Sequence, residues 1–214
     1  LQQPLGRDEL ARMREDFDFV VLATGAQTPR MLPIPGIERA ISALDFLEAA
    51  KAGTAACGRR VVVIGAGNVG CDAATEARRF GAEEILLLDV QQPASFGRER
   101  QAAEAAGARF RWPVVTREIT ATGITLADGE EIAADTVIVS IGDVPDLSFL
   151  PEEIAVERGF IRVDSSYRTS DPKVFAIGDV VRPGLLTEAI GAGRVVAQAI
   201  ADQTDGRAPA PFRR

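Results

Sequence analysis

Short apolar runs alternate along this chain with segments whose apolar residues recur at helical spacing. Residues 7–16 (RDELARMRED) read as a short polar helix, and Phe19–Leu22 as a strand running into the small-residue turn Thr24-Gly25. Residues 27–37 (QTPRMLPIPGI) are proline-rich. Proline fixes φ and removes a backbone donor, so an irregular segment and a domain crossing are expected there. Ser42 and Asp45 stand where a helix starts, and residues 43–53 keep helical spacing as far as Gly53. A buried strand, Val61–Ile64, leads to a helix over Asn68–Phe80 and a second strand within residues 84–90 (EILLLDV). Next come a charged helix, Arg98–Ala106, closed by Gly107, and a strand over residues 109–115 (RFRWPVV). Alternating runs at 117–134 flank Asp128-Gly129, a hairpin signal, and residues 134–142 form another buried strand. After a loop over 143–153, residues 158–166 read as a strand with a leading turn. Lys173–Ile177 is an apolar strand ending in Gly178-Asp179, and residues 185–201 have the period of a helix. Gly191 and Gly193 are expected to let that helix pack closely on a neighbour, and the tail beyond Gln203 is expected to fray. The alternation predicts an α/β fold of Rossmann type: a mostly parallel sheet, helices on both faces, and a small antiparallel hairpin insert.

The chemistry concentrates between residues 60 and 90. Gly65, Gly67 and Gly70 follow the Val61–Ile64 strand in G-x-G-x-x-G spacing and open the next helix, and the second strand ends in Asp89. In such a unit the first glycine allows a tight turn, the second lets a pyrophosphate approach the backbone, and the third lets the helix pack on the strand. The helix N-terminus offers N–H groups and the positive end of its dipole to phosphates. An acid at the tip of the second strand can accept hydrogen bonds from the adenosine ribose. The glycines alone would be a weak signal; strand, turn, helix, strand and acid in register predict a nicotinamide dinucleotide site. The bland alternative is a strand-to-helix turn that holds no ligand.

Composition narrows the chemistry further. The net charge of the 214-residue chain is -7, which argues against nucleic acid or an anionic membrane as partner. No apolar run reaches the roughly 18 residues of a membrane span and no leader is visible, so a cytoplasmic location is expected. Cys57 and Cys71 are not in C-x-x-C spacing, which indicates no redox dithiol or zinc knuckle. The chain has no histidine, the commonest general base, so chemistry here must rest on a cofactor or on carboxylates. Leu1 in place of methionine suggests a piece of a longer protein. Thr24-Gly25 and Gly178-Asp179 each end an apolar strand, where ligands of open α/β sheets bind. Asp179 is placed either to accept from a ribose or ribityl hydroxyl or simply to cap a turn.

Four motifs in order, ATG at 23–25, GAGNVG at 65–70, SIGDVPD at 140–146 and VFAIGDVV at 174–181, resemble the two-dinucleotide flavoprotein reductases. Residues ALDFLEAAK, GNVGCDAA and DTVIVSIGDVPDLSFL make the chain most similar to the small subunit of glutamate synthase and its relatives. The resemblance covers nearly the whole chain. It implies an NAD(P)-binding domain over residues 38–144, inserted between FAD-domain segments at 1–37 and 145–214. It implies that Gly65, Gly67, Asn68, Val69 and Gly70 hold the nicotinamide cofactor's pyrophosphate, with Gly142 close by. Thr24 and Gly25 would lie near FAD, Asp179 would bind its ribityl-phosphate region beside Gly178, and Thr187 would sit at the flavin's pyrimidine edge.

Two departures from the family pattern change the expectation. Relatives that use NADPH carry an aromatic residue and two arginines after the second strand, where this chain has Asp89, Val90 and Gln91. A carboxylate repels a 2′-phosphate, so NAD is favoured over NADP, unless Arg98 and Arg100 fold back to supply the missing charge. The chain also has a single G-x-G-x-x-G unit, and the family's FAD domain has its own, so this polypeptide alone is expected to bind FAD weakly or not at all. The function expected is that of part of an NAD(P)H-dependent FAD oxidoreductase. Electrons would then leave, with iron–sulfur clusters as one exit; no cluster ligands lie in this chain, so any clusters would be in further segments or in a partner subunit. The alternatives are an NAD-dependent dehydrogenase without flavin and a non-catalytic nucleotide-binding or interaction domain.

Overall fold

The computed structural model describes residues 5–206, and the chain folds into two compact units. One unit is Pro29–Gly142; the other combines the chain up to Thr28 with the chain from Asp143 onward. The first crossing falls between Thr28 and Pro29, earlier than the boundary expected at 37–38. The reason is that Leu32, Ile34 and Ile37 pack into the core of the Pro29–Gly142 unit, and Ile119 N–H donates to Pro35 C=O at 2.9 Å.

The Pro29–Gly142 unit is built on a five-stranded sheet. Its order is Ile41–Ser42, Thr136–Val139, Arg60–Ile64, Glu84–Leu88, Arg109–Arg111, and every pair is parallel. Val61–Ile64 form a continuous buried run because a parallel strand is covered on both faces. One face packs against Ala43–Lys51, Asn68–Arg79 and Gly97–Ala105 through Phe46, Ala73, Ala74, Ala77 and Ala103. Alanine at three positions of the Asn68–Arg79 helix brings its backbone close to Val61, Val63 and Leu87. The opposite face carries no α-helix among the described residues, contrary to the expectation of helices on both. It is covered by a three-stranded antiparallel sheet, Thr116–Ile119, Gly123–Leu126 and Glu131–Ala133, whose Ile119, Ile124 and Leu126 pack on Val62, Ile64 and Val139. The hairpin predicted at Asp128-Gly129 is this insert, with Gly129 at φ +93 in the turn.

The segment at 109–115 is strand only as far as Arg111. Pro113 has no N–H to give a ladder, and Val114 N–H turns back to Asp89 C=O at 2.8 Å. Ser42 caps the Ala43–Lys51 helix as expected, its Oγ accepting from Asp45 N–H at 3.0 Å.

The other unit has a two-stranded parallel sheet, Val20–Leu22 beside Val174–Ala176. Leu10 of the Arg7–Asp16 helix, with Phe149, Leu150 and Ile154, covers one side; Val196 and Ala199 of the Leu186–Thr204 helix pack on Phe175. The strand expected over 158–166 is reduced to a small hairpin, Val156–Glu157 with Phe160–Ile161. Its two turn residues, Arg158 and Gly159, have φ of +53 and +83, as a two-residue hairpin loop requires. The close packing expected at Gly191 is absent among the described residues: no heavy atom outside its own helix backbone lies within 4 Å of where its Cβ would be, and Gly193 makes only an ordinary contact with Ile177 at 3.8 Å. The helix runs on through Thr204 and Asp205-Gly206 form a turn; the rest of the tail expected to fray lies outside the described residues. No helix among the described residues is long and apolar enough to cross a membrane.

Candidate functional site

The three glycines of the 65–70 turn stand in different surroundings. Gly65 has φ +105, and a Cβ there would lie 2.1 Å from Ser140 C=O. A Cβ on Gly70 would lie 2.2 Å from Gly65 C=O, so the helix start and the turn are in backbone contact. Gly67 differs from both. Its φ is -74, open to any residue, and among the described residues nothing beyond its chain neighbours lies within 4 Å of its Cβ position. The outer glycines are therefore required by the protein's own packing. The middle one keeps a space clear in front of the helix.

That space is suited to an anion. The Asn68–Arg79 helix begins directly after Gly67 with no side-chain cap and no acid in its first turn. Its first N–H groups face outward without intrahelical acceptors, at the positive end of the dipole. Gly67 lies in the wall of a cavity of about 390 Å³, which falls in the size range of ligand pockets. Gly65, Asp89, Gln91, Ser140 and Gly142 line it too, and no lysine or arginine does. Gly142 has φ +88 and open space at its Cβ position; its C=O accepts from Arg30 N–H at 3.0 Å. Val69 is exposed on the first turn.

Asp89 and Asn68 both bond to backbone of their own unit. Asp89 Oδ2 accepts from Ala66 N–H at 3.0 Å and Oδ1 from Gln91 N–H at 3.2 Å, so one carboxylate joins the bends after two neighbouring strands. Asn68 Oδ1 accepts from Phe96 N–H at 2.9 Å. Arg100, considered for a 2′-phosphate, is held by Glu104 at 2.6 Å and stacks over Phe110 at 3.6 Å. Arg98 is exposed and makes no ion pair among the described residues. Sequence reasoning missed Ser140, whose carbonyl sets the close approach at Gly65, and Leu32, a further wall residue. The SIGDVPD motif contained the signal for Ser140; nothing in the proline-rich segment singled out Leu32.

In the other unit, Thr24 is exposed after the Val20–Leu22 strand and Gly25 takes φ +72. Gly178, also at φ +72, and Asp179 form a single helical turn beyond Val174–Ala176. Asp179 Oδ1 accepts from Gly184 N–H at 3.2 Å, so the capping reading of this residue holds for one oxygen. Burial, and then the charge of Asp179, push the Asp143 carboxyl up from its ordinary value. Thr187 is exposed in the first turn of the Leu186–Thr204 helix. Glu188 accepts there from Leu185 N–H at 2.8 Å, so a carboxylate already answers that helix's dipole. Asp179 and Glu188 border a cavity of about 880 Å³ between the hairpin and this helix. Cys57 and Cys71 are free thiols in the core of the Pro29–Gly142 unit, and burial raises the pKa of both.

Known proteins share this architecture. The thioredoxin reductase of T. acidophilum superposes with a TM-score of 0.70 at 24% identity, over 87% of this chain and 66% of that one. A ferredoxin reductase from Rhodopseudomonas palustris gives 0.68 at 26% identity, over 92% and 54%. In sequence, the NADPH glutamate synthase small chain of Mycobacterium tuberculosis is 29% identical over 94% of this chain and 53% of its own length. The nitric oxide reductase FlRd-NAD(+) reductase of Aeromonas salmonicida is 34% identical over 75% and 44%. The chain thus spans about half the length of the curated relatives it matches. Residues 8–193 match the pyridine nucleotide-disulphide oxidoreductases as a family, and the chain belongs to that family of two-dinucleotide FAD and NAD(P) reductases.

Proposed function

We propose that the Pro29–Gly142 unit binds a nicotinamide dinucleotide, NAD in preference to NADP, and serves as the hydride-donor side of an FAD oxidoreductase. The observation that carries this reading is the clear space at Gly67, which a Cβ would occupy, at the uncapped start of a helix with no acid in its first turn. Backbone N–H groups of Gly67, Asn68, Val69 and Gly70 would receive the pyrophosphate. Asp89 would meet the adenosine ribose, and Gly142 would let the nicotinamide half lie close to the chain. When bound, the nicotinamide supplies the hydride and the flavin accepts it. The chain's own part is to bind, to orient and to exclude water, which needs no histidine.

For FAD the other unit offers half a site. Asp179 has an oxygen with no donor among the described residues, Gly178 permits the turn beside it, and the adjoining 880 Å³ cavity gives room for a ribityl chain. Thr24 and Thr187 are exposed and Gly25 is half-buried, so all three could be reached by a cofactor. The chain lacks a second glycine-rich phosphate turn, so this polypeptide alone holds FAD weakly. Electrons would leave toward an iron–sulfur domain or partner subunit, as in a glutamate synthase small-subunit role, a reading supported by the relatives of that name.

Titration of the purified chain with NADH tests the first step, with Gly67→Val as the control. The φ of -74 and the open surroundings let valine fold normally there, so its effect is confined to the cradle. NADH affinity should fall about 10- to 100-fold, as filling an occupied space implies. Equal affinity of the two proteins would reject the placement.

A further inference from the structure

Thr116 carries a hydroxyl that the fold does not use. The residue starts the Thr116–Ile119 strand and is only 8% exposed, yet its Oγ1 makes no hydrogen bond to any described residue. Nor is that oxygen sealed in. Arg168 Nε is the only fully enclosed side-chain nitrogen or oxygen without a partner among the described residues. The Thr116 oxygen is therefore reachable, and the opening that Thr116 borders is the 390 Å³ cavity whose wall also holds Gly67 and Asp89. A hydroxyl withdrawn from bulk water without a partner is a net loss, and valine has the same shape and suits a strand as well.

The order of the sheet says which part of a dinucleotide would come to this hydroxyl. Along its carboxyl edge the strands end in the order Val139, Ile64, Leu88, Arg111. The segments that follow them line the cavity in the same order: Ser140 to Gly142, the glycine turn, Asp89 to Gln91, then Val114 to Thr116. With the pyrophosphate before Gly67 and the adenosine ribose at Asp89, the nicotinamide half extends toward Gly142. The base then falls on the other side, at Val114 to Thr116. That end suits a flat, largely apolar ring. Val90 and Val115 are 64% and 55% exposed and stand on the two segments that flank it. Its backbone is fixed: Val114 N–H donates to Asp89 C=O, and Ala127 N–H to Val115 C=O, each at 2.8 Å. In the stretch Val114 to Thr116 the hydroxyl is the only polar side-chain group.

We infer that Thr116 is a further binding residue, whose hydroxyl hydrogen-bonds a nitrogen of the adenine base while Val90 and Val115 cover the ring. This rests on the dinucleotide reading of the site and deepens it. The two fail separately, because NADH bound equally well with and without the hydroxyl removes the inference and leaves the reading standing.

The 214-residue chain, Thr116→Val and Thr116→Ser are titrated with NADH and with AMP by calorimetry, and each is unfolded in urea without nucleotide. In the parent chain, magnetisation transfer from the Thr116 methyl group to bound NADH is read by NMR. Thr116→Val should bind NADH and AMP about fivefold more weakly, by one common factor, the effect of a single hydrogen bond. Its urea midpoint should equal or exceed the parent's, because no bond within the protein is lost. Thr116→Ser keeps the hydroxyl and should lie nearer the parent than the valine variant in both affinities. The Thr116 methyl should transfer to the protons of the base. Unchanged affinity in Thr116→Val overturns the inference, as does a lowered urea midpoint or a serine variant as weak as valine. So does AMP that fails to bind the parent chain or weakens by a different factor, and so does a methyl group that reaches no proton of the base. NADH failing to bind the parent chain would overturn the dinucleotide reading and this inference with it.

Discussion

Gly65 and Gly67 are two residues apart and answer to different demands. At Gly65 a methyl group would meet Ser140 C=O at 2.1 Å, and φ of +105 is itself unfavourable to L-residues. Gly65→Ala should therefore cost on the order of 2–4 kcal/mol of stability, read from urea unfolding. A loss below about 0.5 kcal/mol, the usual surface effect, would mean that the contact with Ser140 relaxes freely. That these glycines turn a buried strand into a helix was legible, because spacing and flanking apolar runs are local facts. That Asp89 bonds to Ala66 N–H, and Asn68 to Phe96 N–H, was not legible. Both bonds join segments more than twenty residues apart, and neither side chain breaks any local pattern.

One ion pair ties together the starts of two adjacent strands of the parallel sheet. Asp135 precedes Thr136–Val139 and clamps the start of Arg60–Ile64: Oδ2 accepts from Arg60 N–H at 2.9 Å and Oδ1 from its guanidinium at 2.5 Å. Hydrogen bonds from the Arg60 side chain, and then from its backbone, hold the Asp135 carboxyl down at about 2, against an ordinary 3.8. A depressed carboxyl stabilises the fold above its unfolded value and loses that contribution as pH falls toward the folded one. The parent chain should thus exceed Asp135→Asn in urea midpoint by a constant margin at neutral pH, narrowing once pH drops below 3.8. A margin that stays constant into acid would show that charge is not what the clamp uses. Most elements were legible from period and punctuation: Arg7–Asp16, Asn68–Arg79 and the two central strands lie close to where the sequence puts them. The strand at 109–115 was read too long. Apolar content promised a ladder, and the donor missing at Pro113 decided against it.

At the scale of the molecule, the chain enters the Pro29–Gly142 unit once and leaves it once, as an inserted domain does. Alternation of strand and helix revealed the parallel sheet, but the second covering layer was misjudged. The alternating residues of 116–133 form an antiparallel sheet that occupies the face where helices were expected. Which unit meets which nucleotide is the central claim, and hydrogen exchange of the whole chain with saturating NADH measures it directly. The account predicts slowed exchange at residues 65–70 and 89–94, which border the same cavity, with residues 178–188 unaffected. Protection confined to residues 178–188, or found nowhere, would contradict it.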